Sequence, residues 1–228
     1  MLTPPPDAEL VRARVADLRS VVAQVRGSGD AVKIVAVTKT FDSAAMDAAF
    51  DSGCDAVGEN YAQELLDKLP RRRIQPGLPV HFIGRLQSNK VKALFDHVAL
   101  WHTVDRPSLV SALARESERR GSAARVLIQV NSTGEEQKSG CAPTDAAGLV
   151  DQARTTGLDV AGLMTMGPSD ADPIETRRAF RLVASLCADL GLTELSMGMT
   201  HDVRIAIEEG ATIVRIGSGL FGERPRSA

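Results

Sequence analysis

The sequence predicts an α/β fold, a single (β/α)₈ barrel of the TIM type with an additional helix at the N-terminus. Short runs of β-branched and aliphatic residues alternate with helical patterns along about 190 residues, the alternation typical of such barrels. Strands separated by helices pair in parallel, because a parallel crossover needs a dozen or more residues. The length of 228 residues is one that such barrels commonly use, and no composition break divides it, so we expect residues 1–228 to form one domain. A doubly wound open sheet is the alternative.

The first predicted element is a helix that ends at Gly27-Ser28-Gly29. Its apolar positions recur at helical spacing and are Val11, Val15, Leu18, Val22 and Val25. The predicted strands that follow are 32–37, 56–58, 80–83, 99–104, 126–130, 160–164, 194–196 and 212–216. The predicted helices between them are 43–50, 61–69, 89–95, 108–120, 144–155, 174–190 and 202–209.

Charge and composition argue against several classes of partner. The chain has 27 basic and 29 acidic residues, a formal charge of −2, so there is no global basic excess to attract nucleic acid or an anionic membrane. No apolar run reaches the roughly 18–20 residues of a membrane helix, and the N-terminus lacks the pattern of a signal peptide. Three cysteines at scattered spacings indicate a reducing compartment. We therefore expect a cytoplasmic protein without nucleic-acid or membrane partners.

The histidines predict no metal site. None of them shows the spacing of two ligands on one helix turn. They are His81, His97, His102 and His201.

A lysine follows the first predicted strand directly, in Thr38-Lys39-Thr40. Functional groups of such barrels gather at the C-terminal ends of the strands. Partial desolvation there lowers the pKa of a lysine, and only the neutral amine attacks an aldehyde. Lys39 is therefore a candidate for an imine bond, with an ordinary strand-end lysine that reaches to water as the alternative.

The last two predicted strands end in loops suited to a phosphate. The first is 196–201, with hydroxyls and glycine backbone before a helix, and the second is 215–222, with Gly217, Ser218 and Gly219. N–H groups at the start of a helix bind anions, and loops after the seventh and eighth strands are a recurrent phosphate site in barrels. The pair of loops predicts binding of a phosphorylated ligand.

Six sequence blocks carry a family resemblance. They are Val37-Thr38-Lys39, Gly58-Glu59-Asn60-Tyr61-x-Gln63-Glu64, His81-Phe82-Ile83-Gly84-x-Leu86-Gln87-x-Asn89-Lys90, Gly162-Leu163-Met164-Thr165-Met166, Leu195-Ser196-Met197-Gly198-Met199-Thr200-x-Asp202 and Val214-Arg215-Ile216-Gly217. Together, and in this order, they resemble the YggS/PROSC family of pyridoxal 5′-phosphate (PLP) homeostasis proteins. The fold of that family is similar to the N-terminal barrel of alanine racemase.

The resemblance implies PLP as the cofactor and a set of residues around it. It implies that Lys39 forms the Schiff base, that Asn60 lies beside the cofactor and that Arg215 faces the pyridine nitrogen. The residues that it places around the phosphate are Ser196, Thr200, Gly217 and Ser218.

Two departures from the family pattern involve three positions. Thr200 and Ser218 are exchanged relative to the commoner serine and threonine, which preserves the hydroxyls. Arg85 stands where the family has histidine or proline.

The resemblance implies a carrier of PLP rather than an enzyme with an established turnover. A cation at Arg215 disfavours protonation of the pyridine nitrogen and makes the ring a weaker electron sink. Related racemases take a catalytic tyrosine from a C-terminal β-domain, which we expect this chain to lack, since Tyr61 is its one tyrosine. We therefore predict no catalytic residue, and a role in buffering or delivering PLP. The expected partners are PLP, free amino acids and apoenzymes that receive PLP, and the expected state is a monomer or weak homodimer.

Three other functions remain open at this point. A racemase of one domain would use Lys39 as one base and a second acid over the other face of the cofactor. A Schiff-base aldolase of phosphorylated sugars would use Lys39 and the phosphate loops without a cofactor. A purely interaction-based role is the third.

Overall fold

Eight parallel strands close into a barrel in this computed structural model, which describes residues 7–27, 32–73 and 77–222. The strands are β1 Lys33–Val37, β2 Ala56–Glu59, β3 Val80–Phe82, β4 Leu100–Val104, β5 Arg125–Gln129, β6 Asp159–Met164, β7 Glu194–Ser196 and β8 Ile213–Ile216. Each strand pairs with the next, and β1 pairs with β8 from Lys33↔Ile213 to Ala36↔Ile216. The predicted (β/α)₈ class is confirmed, and closure by β8 excludes the open sheet.

Helices surround the barrel. They are α1 Ala8–Arg26, α2 Ala44–Asp51, α3 Ala62–Lys68, α4 Val91–Leu94, α5 Pro107–Arg120, α6 Ala146–Thr155, α7 Pro173–Asp189, α8 Val203–Glu208 and α9 Ser218–Phe221. Two differ from the sequence-based expectation. The predicted helix 89–95 is α4 flanked by the 3₁₀ turns Ser88–Lys90 and Phe95–His97, and the loop after β8 contains the one-turn helix α9.

The predicted N-terminal helix is confirmed as α1. It begins where the Asp7 carboxylate accepts a hydrogen bond from the Glu9 N–H, an N-cap that satisfies an otherwise unpaired donor. Its buried stripe is Val11, Val15, Leu18 and Val22, and it packs against α2, α8 and α9. Gly27 follows the helix at a φ of 84°, while the predicted stop residues Ser28 and Gly29 lie outside the described residues.

The barrel interior combines an apolar cluster with polar side chains. Successive strand residues point to opposite faces, so alternate positions fill the interior. The apolar cluster consists of Val35, Ala56, Leu100, Leu127, Ala161, Met164 and Ile213. The buried polar residues of the strands include His81, His102, Ser196 and Arg215. These four side chains form part of the site described next.

Among the described residues, the helices are each too short or too polar to span a bilayer.

Candidate functional site

The closed barrel brings the predicted site residues to the same end of four neighbouring strands. Around the barrel β7, β8, β1 and β2 are consecutive, and because all pairs are parallel their C-terminal ends meet at one edge. The residues on these strand ends or in the loops that follow are Lys39, Asn60, Ser196, Thr200, Arg215, Gly217 and Ser218. The seven residues predicted from separate motifs therefore occupy one region of the surface and the interior beneath it.

Lys39 lies between the loop after β2 and the loop after β8. The Thr38 N–H donates to the carbonyl oxygen of Gly58 at 3.1 Å, two residues before Asn60. On the other side, a Cβ added to Gly217 would lie 3.5 Å from the Cβ of Val37. Lys39 itself is half-buried, as the predicted partial desolvation requires.

Thr200 and Ser218 join the loops after β7 and β8. The Ser218 hydroxyl donates to Thr200 Oγ1 at 3.2 Å, and the Gly219 N–H donates to the same oxygen at 3.0 Å. Ser218 is exposed and Thr200 half-buried, so a ligand can reach these hydroxyls. Helices α8 and α9 span six and four residues, so these loops would offer an anion hydroxyls and backbone N–H groups rather than a long helix dipole.

Gly198 allows the first of these loops to form. Its φ of 93° lies in the left-handed region, and an added Cβ would lie 2.5 Å from the Cβ of Ala206. The Arg215 N–H donates to the Gly198 carbonyl at 2.9 Å, which ties this loop to β8.

Arg215 is buried and held on two sides. Its Nη1 donates to Ser196 Oγ at 2.7 Å and its Nη2 to the Thr165 carbonyl at 2.9 Å. Burial lowers the pKa of Arg215 to about 10, against the attraction of Asp202, so the guanidinium remains a cation at neutral pH.

Ser196 differs from the other two predicted phosphate hydroxyls. It is fully buried, and its Oγ contacts both Arg215 and, at 3.0 Å, His102 Nδ1. This geometry favours a role in orienting Arg215, and the contact between Ser196 and a phosphate stays a prediction.

A chain of buried polar groups continues from Ser196 across the interior. His102 Nε2 lies 3.0 Å from His81 Nδ1. Burial lowers the pKa of His81 to about 4 and that of His102 well below its usual value. With both rings neutral, the Ser196 hydroxyl, which accepts from Arg215, can donate to His102 Nδ1, and the His102 Nε2–H can donate to His81 Nδ1. Sequence reasoning gave these histidines no role, although both fall within predicted strands.

A second buried network lies beneath Lys39. Lys68, with 1% of its side chain exposed, donates to the Thr38 carbonyl at 2.7 Å, to Glu59 Oε1 at 2.8 Å and to Glu64 Oε1 at 2.5 Å. Burial raises the pKa of Glu59 and the Lys68 ammonium opposes that effect. Sequence reasoning missed Lys68, although its spacing of four residues from Glu64 on a predicted helix is the signal of an ion pair.

Asn60 opens onto a basic cavity of about 580 Å³. Its Oδ1 is buried and has no hydrogen-bond partner within the described part of the chain. The charged residues that line this cavity are Arg85, Lys90 and Arg106, so Arg85 and Asn60 line the same cavity. A larger cavity of about 1240 Å³ lies along α7, and none of the seven predicted residues lines it.

Comparison with known proteins relates this chain to one family. Residues 11–225 match the family model described as alanine racemase, N-terminal domain. Proteins named pyridoxal phosphate homeostasis protein are 38% identical in Aquifex aeolicus (93% of this chain, 96% of the relative) and 40% identical in Pseudomonas aeruginosa (95% of each). The human protein of that name is 37% identical over 86% of this chain and 78% of its own length.

Solved structures agree with the barrel. PipY of Synechococcus elongatus with PLP bound is 32% identical, with a TM-score of 0.82 over 93% of this chain and 100% of that chain. An alanine racemase of Clostridium difficile is 12% identical, with a TM-score of 0.73 over 93% of this chain and 57% of that chain, a likeness of fold alone. The family model and the relatives at 37–40% identity show that this chain belongs to the family of pyridoxal phosphate homeostasis proteins.

Proposed function

We propose that this protein binds PLP as a Schiff base on Lys39 and takes part in intracellular PLP homeostasis, by buffering or delivering the cofactor. The observation that carries the proposal is the convergence of Lys39, Asn60, Arg215 and the two hydroxyl loops on four neighbouring strand ends. The PLP-bound structure of PipY, a relative of 32% identity over nearly the whole chain, supports the same ligand.

The residues present fit the parts of PLP. Thr200 and Ser218 offer accessible hydroxyls to a phosphate, and such charge-assisted hydrogen bonds are stronger than neutral ones. The buried Oδ1 of Asn60 has no protein partner among the described residues, which leaves it available to a bound group. Lys39 is half-buried in the loop that follows β1. Its neutral amine can condense there with an aldehyde as one water leaves.

The arrangement suits a carrier better than a racemase. Bound PLP supplies an aldehyde that condenses with amines and a ring that accepts electrons. Arg215, a buried cation fixed by Ser196 and Thr165, would disfavour a second positive charge on the pyridine nitrogen of bound PLP and would so weaken that ring as an electron sink. Lys39 would still be able to release PLP to the amine of a free amino acid or of an apoenzyme. The proposal includes a cytoplasmic location, supported by three free thiols at Cys54, Cys141 and Cys187.

The test is the visible spectrum of the purified protein before and after borohydride. We expect a yellow protein, and we expect borohydride to fix one pyridoxyl-phosphate mass on Lys39. Lys39→Ala should lose the imine absorbance, while Lys92→Ala, at an exposed lysine of α4, should keep it. A colourless wild type that PLP does not reconstitute would refute the proposal. If that protein instead trapped a phosphorylated sugar on Lys39 with borohydride, the aldolase function would be the better account.

A further inference from the structure

The turn that carries Lys39 is held in an unfavourable backbone conformation. Thr40 has a φ of 70°, in the left-handed region, where β-branched residues are outliers because the side chain clashes with the backbone. Such a residue persists only where its surroundings over-determine it, and such residues cluster at functional sites. The contacts around Thr40 must therefore offset the strain of this conformation.

Polar contacts hold the residues on both sides of Lys39. The Thr40 N–H donates to Glu64 Oε1 at 2.5 Å. Thr38 donates its hydroxyl to Glu59 Oε1 at 2.6 Å, and its carbonyl accepts from Lys68 at 2.7 Å. Lys68 also donates to both glutamates, so one ammonium joins the contacts on the two sides.

This network is costly in purely structural terms. The exposed side-chain fractions are 1% for Lys68, 0% for Glu59 and 12% for Glu64. Buried charges carry a large desolvation penalty, and apolar residues of similar volume often replace a buried ion pair without loss of stability. All three N–H donors of the Lys68 ammonium are used. One of the three acceptors is a backbone oxygen, that of Thr38, the residue before Lys39.

We propose that Lys68, Glu64 and Glu59 are positioning residues that hold the turn Thr38-Lys39-Thr40 in the conformation from which Lys39 bonds its aldehyde ligand. The inference rests on the proposed function, because the Schiff base on Lys39 is what the turn would present. Glu64 is the central residue, since a single oxygen accepts from both Lys68 and the strained Thr40.

The first measurement is independent of any ligand. In Glu64→Ala we expect amide hydrogen exchange at Thr40 to speed up at least about 10-fold, a typical effect of losing one charge-assisted bond. Exchange at the amides of α5 reports global stability and should change less. Glu64→Gln keeps an acceptor oxygen and should restore most of the protection. Glu175→Ala, which breaks an exposed ion pair with Arg178 on α7, is the matched control.

The second measurement is the equilibrium constant for imine formation with PLP. We expect Glu64→Ala to lower it about 10-fold. Thr40→Gly removes the steric strain, so Glu64→Ala should cost less than about 3-fold in that background. A structural role that merely stabilised the barrel would give the same loss in both backgrounds.

The outcomes separate this inference from the proposed function. A wild type that forms no imine refutes the function, while Thr40 exchange in Glu64→Ala still decides whether the network holds the turn. A wild type that forms the imine, with Glu64→Ala unchanged in both Thr40 protection and imine equilibrium, overturns the inference. If Glu64→Ala fails to fold, Thr38→Val, which removes the hydroxyl bond to Glu59 and leaves Glu64 in place, gives the same comparison in the wild-type and Thr40→Gly backgrounds.

Discussion

The three hydroxyls predicted around the phosphate occupy different surroundings, and their variants should therefore differ. Thr200→Ala and Ser218→Ala each remove an accessible donor, and we expect each to weaken PLP binding about 10- to 100-fold, with little effect on pyridoxal. The measurement is the dissociation constant of each variant for PLP and for pyridoxal, which lacks the phosphate. Equal losses for the two ligands would show that these hydroxyls do not contact the phosphate.

Ser196→Ala should behave differently, because the Ser196 hydroxyl contacts Arg215 and His102 rather than solvent. We expect similar losses for PLP and pyridoxal, since a displaced Arg215 affects the ring that both ligands share. The same pair of dissociation constants checks this. A loss confined to PLP would instead show that Ser196 reaches the phosphate, as the family resemblance implies.

The burial of His81 predicts how the stability of the folded protein depends on pH. Its pKa is lowered from 6.5 to about 4, so the unfolded state binds more protons between these values and stability falls as pH decreases through this window. From pH 7 to pH 5 the loss from His81 should be about 2 kcal/mol. Urea unfolding at several pH values measures it, and His81→Asn should flatten the dependence. His201→Asn, at an exposed histidine, should leave it unchanged, and an equal slope in His81→Asn would contradict the burial argument.

At the scale of elements, the loop after β2 packs closely against the loop after β3 at Gly84. A Cβ added to Gly84 would lie 2.0 Å from the Asn60 carbonyl oxygen, and the Gly84 carbonyl accepts from the Thr103 hydroxyl at 2.6 Å. Gly84→Ala must therefore displace backbone beside Asn60, and we expect it to destabilise the protein by about 3 kcal/mol and to weaken PLP binding.

Gly148→Ala is the matched control. Gly148 lies in α6, and an added Cβ would have no heavy atom within 4 Å, so the better helix propensity of alanine should stabilise the protein by about 1 kcal/mol. Thermal or urea unfolding of the two variants measures both effects. A Gly84→Ala protein as stable as the wild type would show that the loops after β2 and β3 move apart at no cost.

The differences in element bounds have a local cause. The predicted helix 89–95 contains enough apolar residues for one helix, but the chain forms 3₁₀ turns on both sides of α4. Val91 and Leu94 are buried while Lys92 is exposed, so burial of a few apolar positions decides the geometry there. Periodicity predicts that a helix exists better than it predicts where regular hydrogen bonding ends.

For the whole molecule, the question is whether PLP bound to this barrel turns over amino acids. Arg215 is a fixed cation, and Tyr61, the one tyrosine of the chain, is 55% exposed. A missing acid or base typically costs 10² to 10⁴ in rate. We therefore expect at most slow exchange of the α-proton of alanine or serine and no useful racemisation. Deuterium exchange at the α-carbon with excess loaded protein measures this. Rapid exchange that Lys39→Ala abolishes would identify an enzyme.

The sequence by itself determined the barrel and which residues lie at the C-terminal ends of its strands. Alternating strands and helices are local patterns, and parallel pairing then forces the C-terminal strand ends to one edge. Lys39, Asn60 and the loops with Thr200, Gly217 and Ser218 could therefore be predicted to lie together, which they do.

The tertiary structure alone decided which side chains make contact within the barrel. His102 and Ser196 are 94 residues apart in sequence, yet their side chains make contact in the interior, where Ser196 also accepts from Arg215. Lys68, on α3, reaches the Thr38 carbonyl at the end of β1. Such contacts depend on strand register, on which side chains face inward and on the loss of water around buried charges, and each of these arises only when distant segments pack.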